Sequence, residues 1–295
     1  MKVMFQYLRY LRVGLRSKEL FRNWFSAGLM YLLYRLGLIN NRVVKVILKD
    51  CCVAFTELDR FGRVINAYYD GLISGIHCLS NDFYVDFMGL RFRDVFRSMV
   101  EVFVEGQWGF LDVRDRQVID VGAFNGDSAI YFVTRGASRV IAVEPHPKAY
   151  MEMLKNLELN NFLGRIIPVN VALGKGDYVE LPVDVSLDYV IDKIYEGLFN
   201  RRSMTVKIRS ITLGELLNLT GAEPDVLKLD CEGCEYDIIE HDYETLRLFR
   251  ELGIECHPYL RGKELKDCLK YLSRDFRCSV VNNLKSRAII HCIRD

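Results

Sequence analysis

Hydrophobic positions recur at helical spacing through the first forty residues, then change period twice. Met4, Leu8, Leu11 and Leu15 fall on one face of a helix, and Phe21, Phe25, Leu29, Leu32 and Leu36 on one face of another. The pattern predicts two amphipathic helices with a break near Arg16-Ser17. From Arg42 the apolar residues crowd as strands do. Residues 43 to 48, 53 to 55 and 82 to 87 predict a small antiparallel sheet, and residues 93 to 104 a connecting helix or strand.

Beyond about Glu105 strands and helices alternate. Residues 117 to 121 form an apolar run that enters the glycines Gly122 and Gly126, and a helix follows from Ser128 to Arg135. Residues 140 to 144 predict a second strand, and Pro147 opens a helix that stops at Asn160-Asn161. A third strand covers 166 to 173. Thr212-x-x-Glu215 is a capping box, so a helix starts there. Strands at 226 to 230 and 252 to 257, a helix at 263 to 272 and a terminal strand pair at 277 to 281 and 288 to 293 complete the chain. Such alternation means an α/β domain, a doubly wound parallel sheet covered on both faces, here ending in a hairpin. The expected organisation is an accessory region over 1–105 and a catalytic domain over 106–295.

Charge sharpens this division. The chain of 295 residues has 40 basic and 39 acidic side chains, so its net charge implies no particular partner. Yet residues 1–49 contain ten Lys/Arg against one acid, Glu19. Two readings fit the basic helices: they dock on the catalytic body, or they lie in a membrane surface with Lys and Arg at anionic headgroups. The uncharged stretch Asn23 to Tyr34 is too short to span a bilayer and lacks the form of a secretory leader. Nine scattered cysteines make a disulfide framework unexpected and a reducing cytoplasm the default. Only three Gln occur, a usage seen in thermophile proteins, where intracellular disulfides do form.

The chemistry concentrates at strand ends. In an open parallel sheet a ligand sits beyond the carboxyl ends of the strands, where strand order reverses. Asp120-Val-Gly122-Ala-Phe-Asn125-Gly126-Asp127 occupies that place. Its GxxxG spacing differs from the GxGxxG of dinucleotide binders. Gly122 is expected to let a ligand approach the backbone. Asp120 and Asp127 would repel a pyrophosphate at the helix N-terminus, whereas a ligand carrying an ammonium and a sulfonium suits them. Glu144, 24 residues beyond Asp120, is placed to accept hydrogen bonds from ribose hydroxyls.

Residues 119 to 128 and 142 to 147 together resemble the first two motifs of class I S-adenosylmethionine-dependent methyltransferases. Thr212-Leu-Gly-Glu-Leu-Leu217 and Val226-Leu-Lys-Leu-Asp-Cys-Glu-Gly-Cys-Glu235 resemble the FkbM-type family, usually O-methyltransferases. The resemblance runs from about Gln107 to Ile293. It implies a mostly parallel seven-stranded, Rossmann-like sheet with S-adenosyl-L-methionine as cofactor. It also implies that Asp120, Gly122, Asn125, Gly126, Asp127 and Glu144 hold the cofactor, with Asn170 and Ala172 flanking the adenine or simply edging the core. It favours functional roles for Asp230 and Glu232.

A neutral hydroxyl is a poor nucleophile at pH 7, so an O-methyltransferase benefits from a base. Glu255 and His257 project from one side of the fifth strand toward Asp230 and Glu232. His257 is the expected base, with Asp230 positioning acceptor or cofactor. A divalent ion on Asp230, Glu232 and Glu255 is chemically allowed but unspecific, and no metal is expected. Cys231-x-x-Cys234 fits ordinary packing, a disulfide, or zinc with His257 or Cys256. His146 fits either a ribose or adenine contact or a solvent-facing loop.

The expected function is O-methylation of a small molecule, glycan or lipid-linked sugar by a cytoplasmic enzyme, with membrane contact through residues 1–49 as the open question. Three rivals remain. One is a degenerate cofactor-binding scaffold, and a second is an NAD-dependent oxidoreductase, disfavoured by the acidic GxxxG turn. The third is a nucleic-acid methyltransferase, for which no Asn/Asp-Pro-Pro-aromatic grip on a flipped base is present.

Overall fold

The computed structural model describes residues 2–183, 204–258, 262, 264–283 and 287–294, with side chains from residue 8 onward. The expected contribution of the Met4 side chain, of Lys263 and of the Leu284-Lys285 turn lies outside the described residues. The chain divides into two compact units, Met1–Arg97 and Ser98–Asp295. The sequence boundary was drawn at 105/106. The boundary falls instead within the helical residues Arg97–Met99, which the wider π-helical turn Val100–Val104 follows in the second unit.

The first unit opens with the expected helix pair, Lys2–Arg16 and Trp24–Arg35, broken by the 3-10 turn Ser17–Glu19, but Phe21, expected on the second helix, precedes it and forms a bridge with Leu48. Strands β1 (Val43–Ile47) and β2 (Val53–Glu57) form an antiparallel hairpin. Strands β3 (Ile73–Leu79), β4 (Asp82–Phe87) and β5 (Leu90–Phe92) form a separate antiparallel sheet. The single small sheet expected from the sequence is therefore two. Between them runs an amphipathic helix, Leu58–Tyr69, which buries Leu58, Phe61, Val64 and Ile65 at helical spacing. The core joins Phe21, Phe61 and Phe83, with Phe21 and Phe61 stacked at 5.4 Å.

The second unit is a seven-stranded sheet. Its strands are β6 (Gln117–Val121), β7 (Arg139–Val143), β8 (Ile166–Val169), β12 (Val226–Leu229), β13 (Glu251–Cys256), β14 (Phe276–Asn283) and β15 (Ala288–Arg294). Their order is β14-β15-β13-β12-β6-β7-β8. In this sheet β15 alone runs opposite to the other six strands. Every residue of β12 and β13 is buried, as strands covered on both faces must be. The doubly wound seven-stranded fold is the one expected.

Two expectations need correction here. The third strand stops at Val169, and Ala172 belongs instead to β9 (Ala172–Leu173). With β10 (Tyr178–Pro182) and β11 (Thr205–Ile211), β9 forms a side sheet in the order β10-β11-β9. A largely apolar stretch hides a change of sheet, because period alone does not reveal which partner a strand finds. The second correction concerns cysteine. Three disulfides join Cys52 to Cys78, Cys231 to Cys234 and Cys278 to Cys292, against the expectation of reduced thiols. Cys278 and Cys292 are register partners across β14 and β15, a proximity that sequence spacing does not show. Among the described residues no helix is long and apolar enough to cross a membrane.

Candidate active site

Strand order reverses between β6 and β12, so the site lies at their carboxyl ends. The pairing continues one residue past β12: the Asp230 N–H donates to the Val121 carbonyl at 3.1 Å. Gly122 then turns with φ +78°, and a Cβ there would stand 2.8 Å from the Asp230 carbonyl carbon. Glycine is thus required first by the neighbouring strand end, and not only by a ligand as the sequence suggested. The Gly122 and Ala123 N–H groups both donate to the Val143 carbonyl at 3.0 Å. Neither is left for a pyrophosphate, which adds to the features that disfavour a dinucleotide.

Asp120 is fully buried and receives the Ser128 hydroxyl at 2.6 Å. Its other oxygen lies 3.0 Å from Lys228 Nζ, a lysine only 1% exposed. Lys228 also donates to the Val121 and Gly122 carbonyls at 3.3 and 2.8 Å. Burial would lower the lysine pKa, but Asp120 and Asp230 hold it above the ordinary value. The motif resemblance implies no role for Lys228. It neutralises part of the acidic turn, so the charge argument against phosphate is weaker than two bare aspartates implied. The signal for it was available: a lysine inside an otherwise apolar strand is too costly to bury unpaired.

Asp127 is the first residue of the helix Asp127–Thr134, and Gly126 is its N-cap. Burial pushes its carboxyl up to about 6. Asn125 is fully buried, and its Nδ2 has no hydrogen-bond partner among the described residues. Such an orphaned donor calls for a ligand acceptor. Glu144 receives the Phe124 N–H on one oxygen at 2.9 Å and the His146 N–H on the other at 2.7 Å. Each carboxylate oxygen keeps a second lone pair, so two ribose hydroxyls can still be accepted. Burial raises this carboxyl to about 7. Phe124 itself sits at φ +48°, a strained backbone held at the turn. These residues fit the expected cofactor.

Asn170 donates from Nδ2 to the Glu144 and Pro145 carbonyls at 2.8 and 3.0 Å, so it fixes the loop after β7. Ala172 is buried in the side sheet. His146 is not solvent-facing: it is 1% exposed, and its Nε2 meets the Pro182 carbonyl at 2.8 Å, tying down β10. A polar groove of about 690 Å³ lies between the Gly174–Tyr178 turn and the helix Cys234–His241. None of the candidate site residues lines it. Its lining includes the buried Ser210 hydroxyl, which has no hydrogen-bond partner among the described residues.

The acid–base cluster sits where β12 and β13 end. Glu232 has φ +54° and is followed by Gly233 at φ +110°, a sharp turn into the helix Cys234–His241. Glu235 is fully buried and organises this turn, accepting the Cys231 and Gly233 N–H groups at 2.8 and 2.7 Å. Its Oε1 also meets His257 Nδ1 at 3.2 Å. The opposite nitrogen, Nε2, lies 3.5 Å from Glu232 and 3.9 Å from Glu255. Burial opposes charge on this imidazole, but Glu235, Glu232 and Asp230 together raise it to about 10. Burial carries Glu232 up to about 8 and raises Asp230 as well. Sequence reasoning brought Asp230, Glu232, Glu255 and His257 together correctly. It missed Glu235, whose role depends on a contact 22 residues away in sequence.

Asp230, Glu255 and His257 present ligand atoms within 4.8 Å of one another. Cations of the chain already serve them: Arg287 Nη1 lies 2.8 Å from Glu255, and Lys228 Nζ 3.9 Å from Asp230. Gln107 donates to the second Glu255 oxygen at 2.6 Å. A divalent ion would have to displace these partners. Of the three readings of Cys231-x-x-Cys234, the structure forms the disulfide, across the turn that follows β12.

The family model for the methyltransferase FkbM domain matches residues 120–278. The chain is similar to ribosomal protein L11 methyltransferase of Acinetobacter baumannii (strain AYE), at 28% identity over 135 residues, covering 45% of this chain and 38% of that one. The corresponding protein of Acinetobacter baylyi is 33% identical over 84 residues, covering 28% of this chain and 24% of that one. The chain thus spans well under half the length of these relatives. Among solved structures, a protein of the NADB-Rossmann superfamily from Streptococcus agalactiae gives a TM-score of 0.41 at 14% identity, covering 68% of each chain. An O-methyltransferase from Bacillus cereus in complex with S-adenosylhomocysteine gives 0.40 at 13% identity, covering 68% of this chain and 83% of that one. The family match spans more than half of the sequence and contains the glycine turn, Glu144, Lys228 and the Asp230–Glu235 turn, so this chain belongs to the FkbM methyltransferase family and uses S-adenosylmethionine as its cofactor.

Proposed function

We propose that the methyl acceptor is a hydroxyl group, on a small molecule, glycan or lipid-linked sugar. The observation behind this reading is the buried cluster in which Glu235 holds His257 Nδ1 while Nε2 faces Glu232. A hydroxyl must lose its proton to become a competent nucleophile, and such a cluster supplies the acceptor for it. When bound, the cofactor supplies an electrophilic methyl group on its sulfonium. Glu144, Asn125 and the Gly122 turn would hold that group, and the proton released by the acceptor hydroxyl would pass to the protein.

The sequence assigned that proton to His257 alone. With its imidazole raised to about 10, the neutral ring is scarce at pH 7. We assign proton acceptance to the Glu232–His257 pair, with Glu232, raised to about 8, as the end that ionises near working pH. A buried carboxylate orienting an imidazole is a familiar device for fixing which nitrogen faces the reaction.

The test begins with calorimetric titration of S-adenosylmethionine and S-adenosylhomocysteine, beside an Asp120→Ala/Glu144→Ala control. A screen of hydroxyl-bearing glycans, lipid-linked sugars and small alcohols with methyl-labelled cofactor follows. Label transferred to oxygen supports the proposal. Binding without transfer to any hydroxyl, but with transfer to nitrogen of an RNA or protein acceptor, removes it.

A further inference from the structure

The two N-terminal helices cross at glycine. A Cβ on Gly14 would stand 3.2 Å from the Gly28 carbonyl oxygen, and one on Gly28 would stand 2.8 Å from that of Gly14. Two other contacts join the same helices. The rings of Tyr10 and Tyr31 lie 6.3 Å apart, and the Arg35 guanidinium sits 4.6 Å from the centre of the Tyr10 ring. Residue numbers fall on one helix as they rise on the other, so the pair is antiparallel.

Helical geometry then fixes which residues share a side. At about 100° per residue, Leu11, Leu15 and Leu8 lie about 60° to 120° to one side of Gly14. Tyr10, Ser17 and Val13 lie about 40° to 100° to the other side, and these are the buried ones. On the second helix Leu32, Phe25, Leu36 and Leu29 lie about 40° to 100° from Gly28 in the same rotational sense, opposite buried Tyr31 and Ala27. Because the helices face each other and run antiparallel, equal senses of rotation point to the same side of the pair. The leucines of the first helix and the phenylalanine and leucines of the second therefore form one continuous apolar face.

That face is open. Leu8 is 54% exposed, Leu15 52% and Phe25 68%, with Leu11 and Leu29 close behind. A soluble surface rarely gathers so many large apolar side chains in one patch. Its neighbours are cationic. Arg12, Arg16 and Arg9 follow Leu8 around the first helix, and Lys18 and Arg22 occupy the connecting turn. Across residues 1–49 the acids number one against ten bases. An apolar face bordered by arginines is complementary to an anionic bilayer surface, where leucines enter the acyl boundary and guanidinium groups stay at the phosphates.

We propose that the helix pair Lys2–Arg16 and Trp24–Arg35 docks on an anionic lipid surface through Leu8, Leu11, Leu15, Phe25 and Leu29. A second copy of the chain is the competing occupant of such a face, but ten bases repel their own copies, whereas they favour anionic lipid.

The experiment is sedimentation of the full chain with phosphatidylcholine vesicles with and without phosphatidylserine, across a salt series, beside light scattering of the free protein. The variants are Leu11→Glu/Phe25→Glu and Arg9→Glu/Arg12→Glu. Binding to the anionic vesicles that weakens with salt is expected, together with a loss of more than about tenfold in partition for each variant. Calorimetric binding of S-adenosylhomocysteine by the same variants checks that the catalytic unit stays folded. Failure of the parent to bind anionic vesicles overturns the proposal. So does a dimer of the parent that Leu11→Glu/Phe25→Glu dissociates, since the face would then be covered by a second copy.

Discussion

Lys228→Met leaves the Asp120 carboxylate without its cation. Both side chains are essentially excluded from water, and the pair is 3.0 Å apart. Two carbonyl contacts of the same ammonium, to Val121 and Gly122, are lost as well. Removing one partner of a buried ion pair costs about 3–5 kcal/mol, because the remaining charge cannot be solvated. For a unit of this size each kcal/mol lowers Tm by about 2–4 °C, so the fall is about 6–20 °C. Differential scanning calorimetry at neutral pH measures it. The companion variant Lys228→Met/Asp120→Asn removes the stranded charge and should recover most of the loss. Cofactor affinity falls in the single variant, since Lys228 grips the carbonyl of the turn glycine itself. A single variant within about 1 kcal/mol of the parent would refute the reasoning, as that is the range expected of an exposed ion pair. A double variant no more stable than the single one would do the same.

Glu232→Gln should cost about 10²–10⁴ in kcat and abolish a rise of rate with pH centred near 8, read from a kcat profile. Its effect on stability has the opposite sign. A carboxyl raised from its unfolded value to about 8 contributes stability below the unfolded pKa, and that stability is lost as pH climbs through 8. The parent should therefore lose Tm relative to Glu232→Gln between pH 5 and 9, and parallel melting curves would count against the buried carboxyl. Gly122→Ala forces a side chain against the Asp230 carbonyl at φ +78°, so it should cost at least about 1–3 kcal/mol and weaken S-adenosylhomocysteine binding in calorimetry. Cys278→Ser/Cys292→Ser opens a closure of sequence separation 14, worth about 3 kcal/mol, and should lower the urea midpoint without moving the kcat profile.

The sequence by itself determined the strands that matter. β6, β7, β12 and β13 lie buried on both faces, so each reads as an apolar run with a chemically distinct residue at its end. The glycine turn, the spacing to Glu144 and the Thr212–Glu215 capping box are local devices, and local devices are legible. Tertiary structure decided what those residues touch. Lys228 is an odd letter in a strand until the register sets it opposite Asp120. Glu235 looks like one acid among several until the helix Cys234–His241 brings it under His257. Gly122 reads as room for a ligand until the Asp230 carbonyl is found where its side chain would stand. The Cys278–Cys292 bond follows only from the register of β14 on β15, and the change of sheet at Ala172 only from its pairing with β11. Periodicity encodes which face of an element is buried. Which partner comes to meet that face is a long-range choice, made when the whole core packs at once.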